Sequence, residues 1–196
     1  MGNEKKVIVI AGPSGSGEST ITGELLRLFP NSMRRLVTAT TRAPREGEQE
    51  GVDYYFFSKE RFSKERESGN IIEETYVANR DTYYGSYKPD LDAKLAAGFI
   101  VIINPDIVGA RYYAEHYGAA SIFIMPGDIE ELFSRIKNRN PGISEHELAQ
   151  RRENAQHEID TEQSFYSHTI INANGKLEQA VESIIEVLKK DGYKLV

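Results

Sequence analysis

The chain has 196 residues, enough for one core and a small inserted lobe, and no cysteine, which excludes disulfides, thiol nucleophiles and thiolate metal sites and fits a reducing cytoplasm. A formal net charge of -6, from 30 Asp and Glu against 24 Lys and Arg, argues against a broad nucleic-acid surface. No apolar run approaches membrane-spanning length, and the opening MGNEKK departs from an N-myristoylation signal at Lys6.

In chain order, KVIVIA is a short uninterrupted β-rich run, as expected of a strand buried on both faces. STITGELLRLF follows, with Ile21, Leu25, Leu28 and Phe29 at helical spacing and Pro30 closing the helix. From about Leu36 to Tyr87 the chain is rich in Tyr, Phe, Arg and Glu and reads as a small α+β lobe containing the charged helix KERFSKERESG. Buried-strand runs return at Phe99 to Asn104, Ala120 to Met125 and His168 to Asn172, each followed by a helical pattern: Ile107 to His116, Ile129 to Asn138, and Leu177 to Lys189. Alternating strands and helices predict an α/β fold, a parallel sheet flanked by helices. The arginine-rich, polar stretch NRNPGISEHELAQRRENAQHEID reads as a helical lid.

Between the first strand and the first helix lies GPSGSGEST. Gly12, Gly17 and Ser19 match a phosphate loop of the form G-x-x-x-x-G-K-[ST]. The glycines let backbone amides turn inward, and the helix start adds free N–H groups and its positive dipole end. Gly12, Pro13, Ser14, Gly15, Ser16, Gly17, Ser19 and Thr20 are the expected ATP-binding residues, and the Ser19 hydroxyl is the expected Mg²⁺ ligand. The lysine position holds Glu18. Two unit charges about 4 Å apart interact by about 4 kcal/mol at an effective dielectric near 20, so a reversal changes the balance by roughly twice that. At about 1.4 kcal/mol per tenfold, several powers of ten in rate are at stake. Glu18 is expected to impair phosphoryl transfer unless a cation from the lid substitutes, while the helix dipole stabilises the carboxylate in an empty loop.

In the lobe, Arg42 and Arg45 flank Pro44, with Tyr54 downstream. Two guanidiniums and a phenol can clamp a phosphate through charge-assisted bonds. A buried Glu73 can accept paired hydrogen bonds from adjacent N–H donors, which points to guanine, while Thr38 and Ser86 can donate to a base carbonyl. Tyr83 and Tyr84 are neighbours in an extended segment, so only one of them can face a pocket. The histidines show no metal-ligand spacing.

The blocks GPSGSG, TTRAPREGE, VDYYF, IIE, YYGS and RRENAQHEI together resemble the guanylate kinase family over nearly the whole chain. The resemblance implies a P-loop core at residues 1–35, 88–125 and 161–196, an NMP-binding lobe at 36–87 and a lid region at 126–160. It implies transfer of the ATP γ-phosphoryl to GMP, with Mg²⁺, giving ADP and GDP in the cytoplasm, by a monomer or homodimer. Arg42, Arg45, Tyr54 and Tyr84 would then hold the GMP phosphate, and Thr38, Glu73 and Ser86 the guanine. Arg135, Arg139 and Arg151 would stabilise the transferring phosphoryl, and Asp106 would position Mg²⁺ behind Ser19. Glu18 would occupy the catalytic lysine's place, and Asn104 would stand on the acceptor side where the family has a carboxylate. Two other readings stay open: a non-catalytic module binding GMP or a phosphopeptide, and a kinase with a different phosphorylated acceptor.

Overall fold

The computed structural model describes residues 5–196, so the Gly2 position of the acylation reading lies outside the described residues. In chain order the elements are β1 (Val7–Ala11), α1 (Glu18–Leu28), β2 (Met33–Arg35), β3 (Thr38–Thr40), β4 (Tyr55–Phe56), α2 (Lys59–Glu67), β5 (Ile71–Val77), β6 (Thr82–Tyr87) and α3 (Lys88–Ala96). There follow β7 (Ile100–Ile103), α4 (Ile107–Tyr117), β8 (Ala120–Pro126), α5 (Ile129–Arg139), α6 (Glu145–Glu162), β9 (His168–Asn172) and α7 (Leu177–Lys190). The chain divides into two compact units. One runs to Met33 and resumes at Ile102 through Val196; the other is Arg34–Val101.

The first unit carries a five-stranded sheet in the order β2-β7-β1-β8-β9, the division falling within β2 and β7. β1 runs parallel to β8, and β8 parallel to β9. Every residue of β1 and β7 is buried, which is why both read as unbroken apolar runs. Tyr193, beyond α7, ties two strands together: its hydroxyl donates to the Val7 carbonyl at 2.5 Å and accepts from the Ala120 N–H at 2.8 Å. The polar helix α6 still finds a core. Ala155 is buried with Leu132, Phe133 and Ile136 of α5, and Leu148 packs beside them. Asp128 and Ser144 start α5 and α6 as side-chain caps.

The second unit is a four-stranded sheet in the order β4-β3-β6-β5, with β6 antiparallel to both neighbours and β3 parallel to β4. Phe62 of α2 is buried against Ala39, Phe57 and Ile71, with Tyr55, Tyr83 and Tyr87 around them. Helix α3, which apolar spacing does not announce, begins with Pro in its first turn. Its buried Asp90 accepts from the Val37 N–H at 2.9 Å, the Tyr55 hydroxyl at 3.1 Å and the Lys94 ammonium at 2.5 Å, and so anchors the helix to its sheet.

Candidate active site

The phosphate loop leaves the buried end of β1. At Gly12 a Cβ would fall 2.5 Å from the Ile124 carbonyl oxygen, so only glycine passes β8 there. The Ser16 N–H donates to the Pro13 carbonyl at 2.9 Å, which closes the turn. Gly17 precedes α1 with φ +102° and caps it without a side chain, leaving the first helical amides to a ligand.

Two side chains from elsewhere in this unit fix the Ser16 carbonyl. The Asn172 amide donates to it at 2.7 Å and the Arg135 guanidinium at 3.3 Å. Arg135 also donates to the Asn172 carbonyl at 2.7 Å and to the Asn174 side chain at 2.8 Å. Ser14, Gly17, Ser19, Arg135, Arg139 and Asn172 are among the residues lining a cavity of about 460 Å³. Ser19 and Thr20 are exposed on its loop side, and the Ser16 hydroxyl is buried with no hydrogen-bond partner among the described residues. Arg151 is bound to Glu147 on its own helix at 2.8 Å, and Arg152 pairs with Glu130 and lies over the Phe133 ring.

Glu18 is the first helical residue of α1. The dipole was expected to favour its charged form. Burial, with the Glu158 carboxylate as a second cause, instead pushes its pKa up to about 8. Desolvation and like charge outweigh the helix end.

Asn104 donates to the Ile10 carbonyl at 2.9 Å and exchanges contacts of 3.2 and 3.3 Å with the Thr22 hydroxyl. Its amide therefore ties β7 to β1 and α1 within the first unit. Asp106 caps α4, accepting from the Val108 and Gly109 amides at 3.0 Å. Among the described residues no three His, Cys, Asp or Glu side chains cluster as a metal cage. A hydroxyl and a carboxylate, Ser19 and Asp106, are nonetheless hard oxygen donors suited to Mg²⁺, which takes few protein ligands when phosphates supply the rest.

In the second unit Arg42 forms a two-armed pair with Glu48, both bonds at 2.8 Å, and Glu48 also accepts from the Arg45 N–H at 2.7 Å. The guanidinium lies 5.3 Å from the Tyr54 ring centre, and Tyr54 meets Tyr84 edge-on at 5.9 Å. Arg42, Tyr54 and Tyr84 are thus together, while Arg45 is exposed nearby in sequence. Tyr83 faces the other way, stacked on Phe62 at 5.5 Å. Thr38 pairs with Ser86 across β3 and β6, and the Ser86 hydroxyl donates to Glu73 at 2.6 Å. A bulge between Ile71 and Glu74 inserts the residue that turns Glu73 toward Ser86.

A family model described as Guanylate kinase matches residues 4–191. The chain belongs to the guanylate kinase family. It is similar to the guanylate kinase of Rhodopirellula baltica, 36% identical over 185 residues, covering 93% of this chain and 87% of that one. The guanylate kinase of Porphyromonas gingivalis is 40% identical over 156 residues, covering 79% and 82% of the two chains. The crystal structure of guanylate kinase from Anaplasma phagocytophilum superposes with a TM-score of 0.69 at 28% identity, covering 98% of this chain and 89% of that one. The fold expected from the sequence, a mostly parallel sheet flanked by helices, is the guanylate kinase fold. Sequence reasoning missed three residues of the two sites: Asn172, Asn174 and Glu48. Only Glu48 left a local signal, the acid three residues beyond Arg45 in REGE.

Proposed function

We propose that this guanylate kinase family member transfers the ATP γ-phosphoryl to GMP, giving ADP and GDP, with turnover held low by Glu18. The observation that carries the acceptor assignment is the meeting of Arg42, Tyr54 and Tyr84 in the same unit where Glu73, Ser86 and Thr38 converge. The first group offers a guanidinium and phenols to a phosphate; the second offers a carboxylate and hydroxyls to guanine. Arg45, exposed on the same loop, adds a second cation to the phosphate.

The loop from Gly12 to Thr20 takes the ATP phosphates through backbone amides. Arg135 holds the loop's carbonyl and, with Arg139 and Arg151, supplies positive charge to the transferring group. Ser19 and Asp106 would hold Mg²⁺, which when bound neutralises charge on the phosphate oxygens. Catalysis is positioning and electrostatics, with in-line attack by the GMP phosphate oxygen and no covalent intermediate. The ammonium that would meet the β and γ phosphates at position 18 is replaced by a carboxyl group.

Glu18 also favours a second reading, a module that binds GMP without turnover. Calorimetric titration with GMP, AMP and ATP separates them. The kinase reading expects GMP and ATP to bind and AMP to bind far more weakly as acceptor. GMP alone supports the binding module, and no GMP binding overturns the acceptor assignment.

A further inference from the structure

The sequence holds a single Asn–Gly step, Asn174–Gly175. It lies at the centre of the turn between β9 and α7, where the Lys176 N–H donates to the Ala173 carbonyl at 3.0 Å and Gly175 has φ +70°. Both residues are exposed, and a Cβ at Gly175 would meet open space. The Gly175 N–H makes no hydrogen bond among the described residues. The Asn174 side chain is held at its oxygen end: Oδ1 accepts from Arg135 Nε at 2.8 Å, while the amide nitrogen has no partner among the described residues. Other asparagines lack this combination. Asn31 precedes Ser32, whose N–H is taken by the Phe29 carbonyl at 3.2 Å. Asn154 lies inside α6, and Asn104 and Asn140 precede prolines, which have no N–H.

We propose that Asn174 is a modification site that deamidates through Gly175 and leaves an acid against Arg135. The Gly175 nitrogen attacks the Asn174 Cγ and closes a cyclic imide. The Cγ–Nδ2 bond breaks, and ammonia leaves with the former Gly175 amide proton. Water then opens the imide at either carbonyl, giving aspartate or isoaspartate. The net exchange is amide plus water for acid plus ammonia, with nothing oxidised or reduced. Glycine puts no side chain in the path of attack and rotates freely. An exposed turn closed by one backbone bond opens locally at low cost. The Arg135 guanidinium on Oδ1 draws electrons from Cγ and stabilises the oxyanion of the addition step. The product acid then holds Arg135 by a charge-assisted bond, beside Glu131, already 3.5 Å from the same guanidinium. Arg135 also donates to the Ser16 carbonyl at 3.3 Å, so the change reaches the phosphate loop. Asn174 and Gly175 line the cavity of about 460 Å³. The consequence rests on the reading of that cavity as the ATP site: the phosphates meet one more negative charge and a neutralised arginine, and affinity falls.

The test is incubation of the full chain at mildly alkaline pH followed by peptide mass spectrometry, with ATP and GMP titrated calorimetrically into the parent and Asn174→Asp. The expected result is an amide-to-acid mass gain at Asn174, divided between aspartate and isoaspartate, about tenfold faster than at Asn31 or Asn154. Asn174→Asp carries the aspartate product and is expected to bind ATP about tenfold more weakly than the parent, with GMP affinity unchanged. No mass gain at Asn174, or a gain no faster than at Asn31 and Asn154, overturns the proposal. Equal ATP affinity of parent and Asn174→Asp overturns its consequence for Arg135. ATP failing to bind the parent overturns the donor-site reading instead, and the mass gain still decides the modification, so the two fail independently.

Discussion

The Asn172 amide reaches across to the Ser16 carbonyl at 2.7 Å, joining the end of β9 to the phosphate loop. Asn172 also stands where a side chain on residue 17 would be, so the same amide requires glycine there. Asn172→Ala leaves the Ser16 carbonyl to Arg135 alone. A buried acceptor that loses a donor costs about 1–3 kcal/mol. At about 2–4 °C per kcal/mol for a chain of this size, thermal denaturation is expected to fall by several degrees. ATP affinity is expected to fall about tenfold while GMP affinity holds. Unchanged ATP binding would remove Asn172 from the donor site.

Glu48 binds both the Arg42 fork and the Arg45 N–H. It is expected to preform the phosphate clamp, so Glu48→Gln lowers GMP affinity about tenfold without changing ATP affinity. The Arg42 pair and the Arg45 amide draw the Glu48 pKa from 4.5 down to about 2. A folded-state pKa below the unfolded one means stability that is present above pH 4.5 and lost as pH falls toward 2. The melting-temperature gap between the parent chain and Glu48→Gln is therefore expected to narrow over that window. A gap constant from pH 6 to pH 2 contradicts the pairing.

Gly85 lies where the sheet of the second unit has no room. A Cβ there would sit 2.6 Å from Ile71 Cγ2 and 2.7 Å from the Glu73 carbonyl oxygen. Gly85→Ala is expected to destabilise the chain by about 1–3 kcal/mol and to move the bulge that aims Glu73. Guanine-dependent binding, read as the ratio of GMP to AMP affinity, is expected to fall. A variant that melts like the parent and keeps that ratio would mean the bulge does not set base recognition.

The parts of this account that the sequence announced share a physical cause. β1, β7 and β8 lie in the interior of a sheet, so burial wrote their apolar runs directly, whereas β9 is an edge strand that alternates, Ile170 buried and Ile171 63% exposed, and is not the buried run expected at His168 to Asn172. Helix α3 was illegible because its main anchor is the buried acid Asp90, which pattern reading takes for surface. Glu73 was found through a motif only, since a bulge breaks the alternation that would show its face. Asn172 gave no signal because its partner Ser16 is 156 residues away. The acid at position 18 is plain in the sequence but its surroundings are not: a helix end alone favours a carboxylate, and burial beside Glu158 makes Glu18 reluctant to ionise.

The proposed function stands or falls on whether an otherwise intact donor loop and acceptor clamp are limited by one side chain, the carboxyl group of Glu18 where a cation would meet the phosphates. Coupled-assay turnover with ATP, GMP and Mg²⁺, comparing this chain with Glu18→Lys, tests it most directly. A gain of at least a hundredfold in kcat is expected for Glu18→Lys, since setting a cation near the phosphates in place of a carboxyl group is worth about 3–4 kcal/mol. Equal turnover by the two proteins, with GMP and ATP both shown to bind, would contradict it.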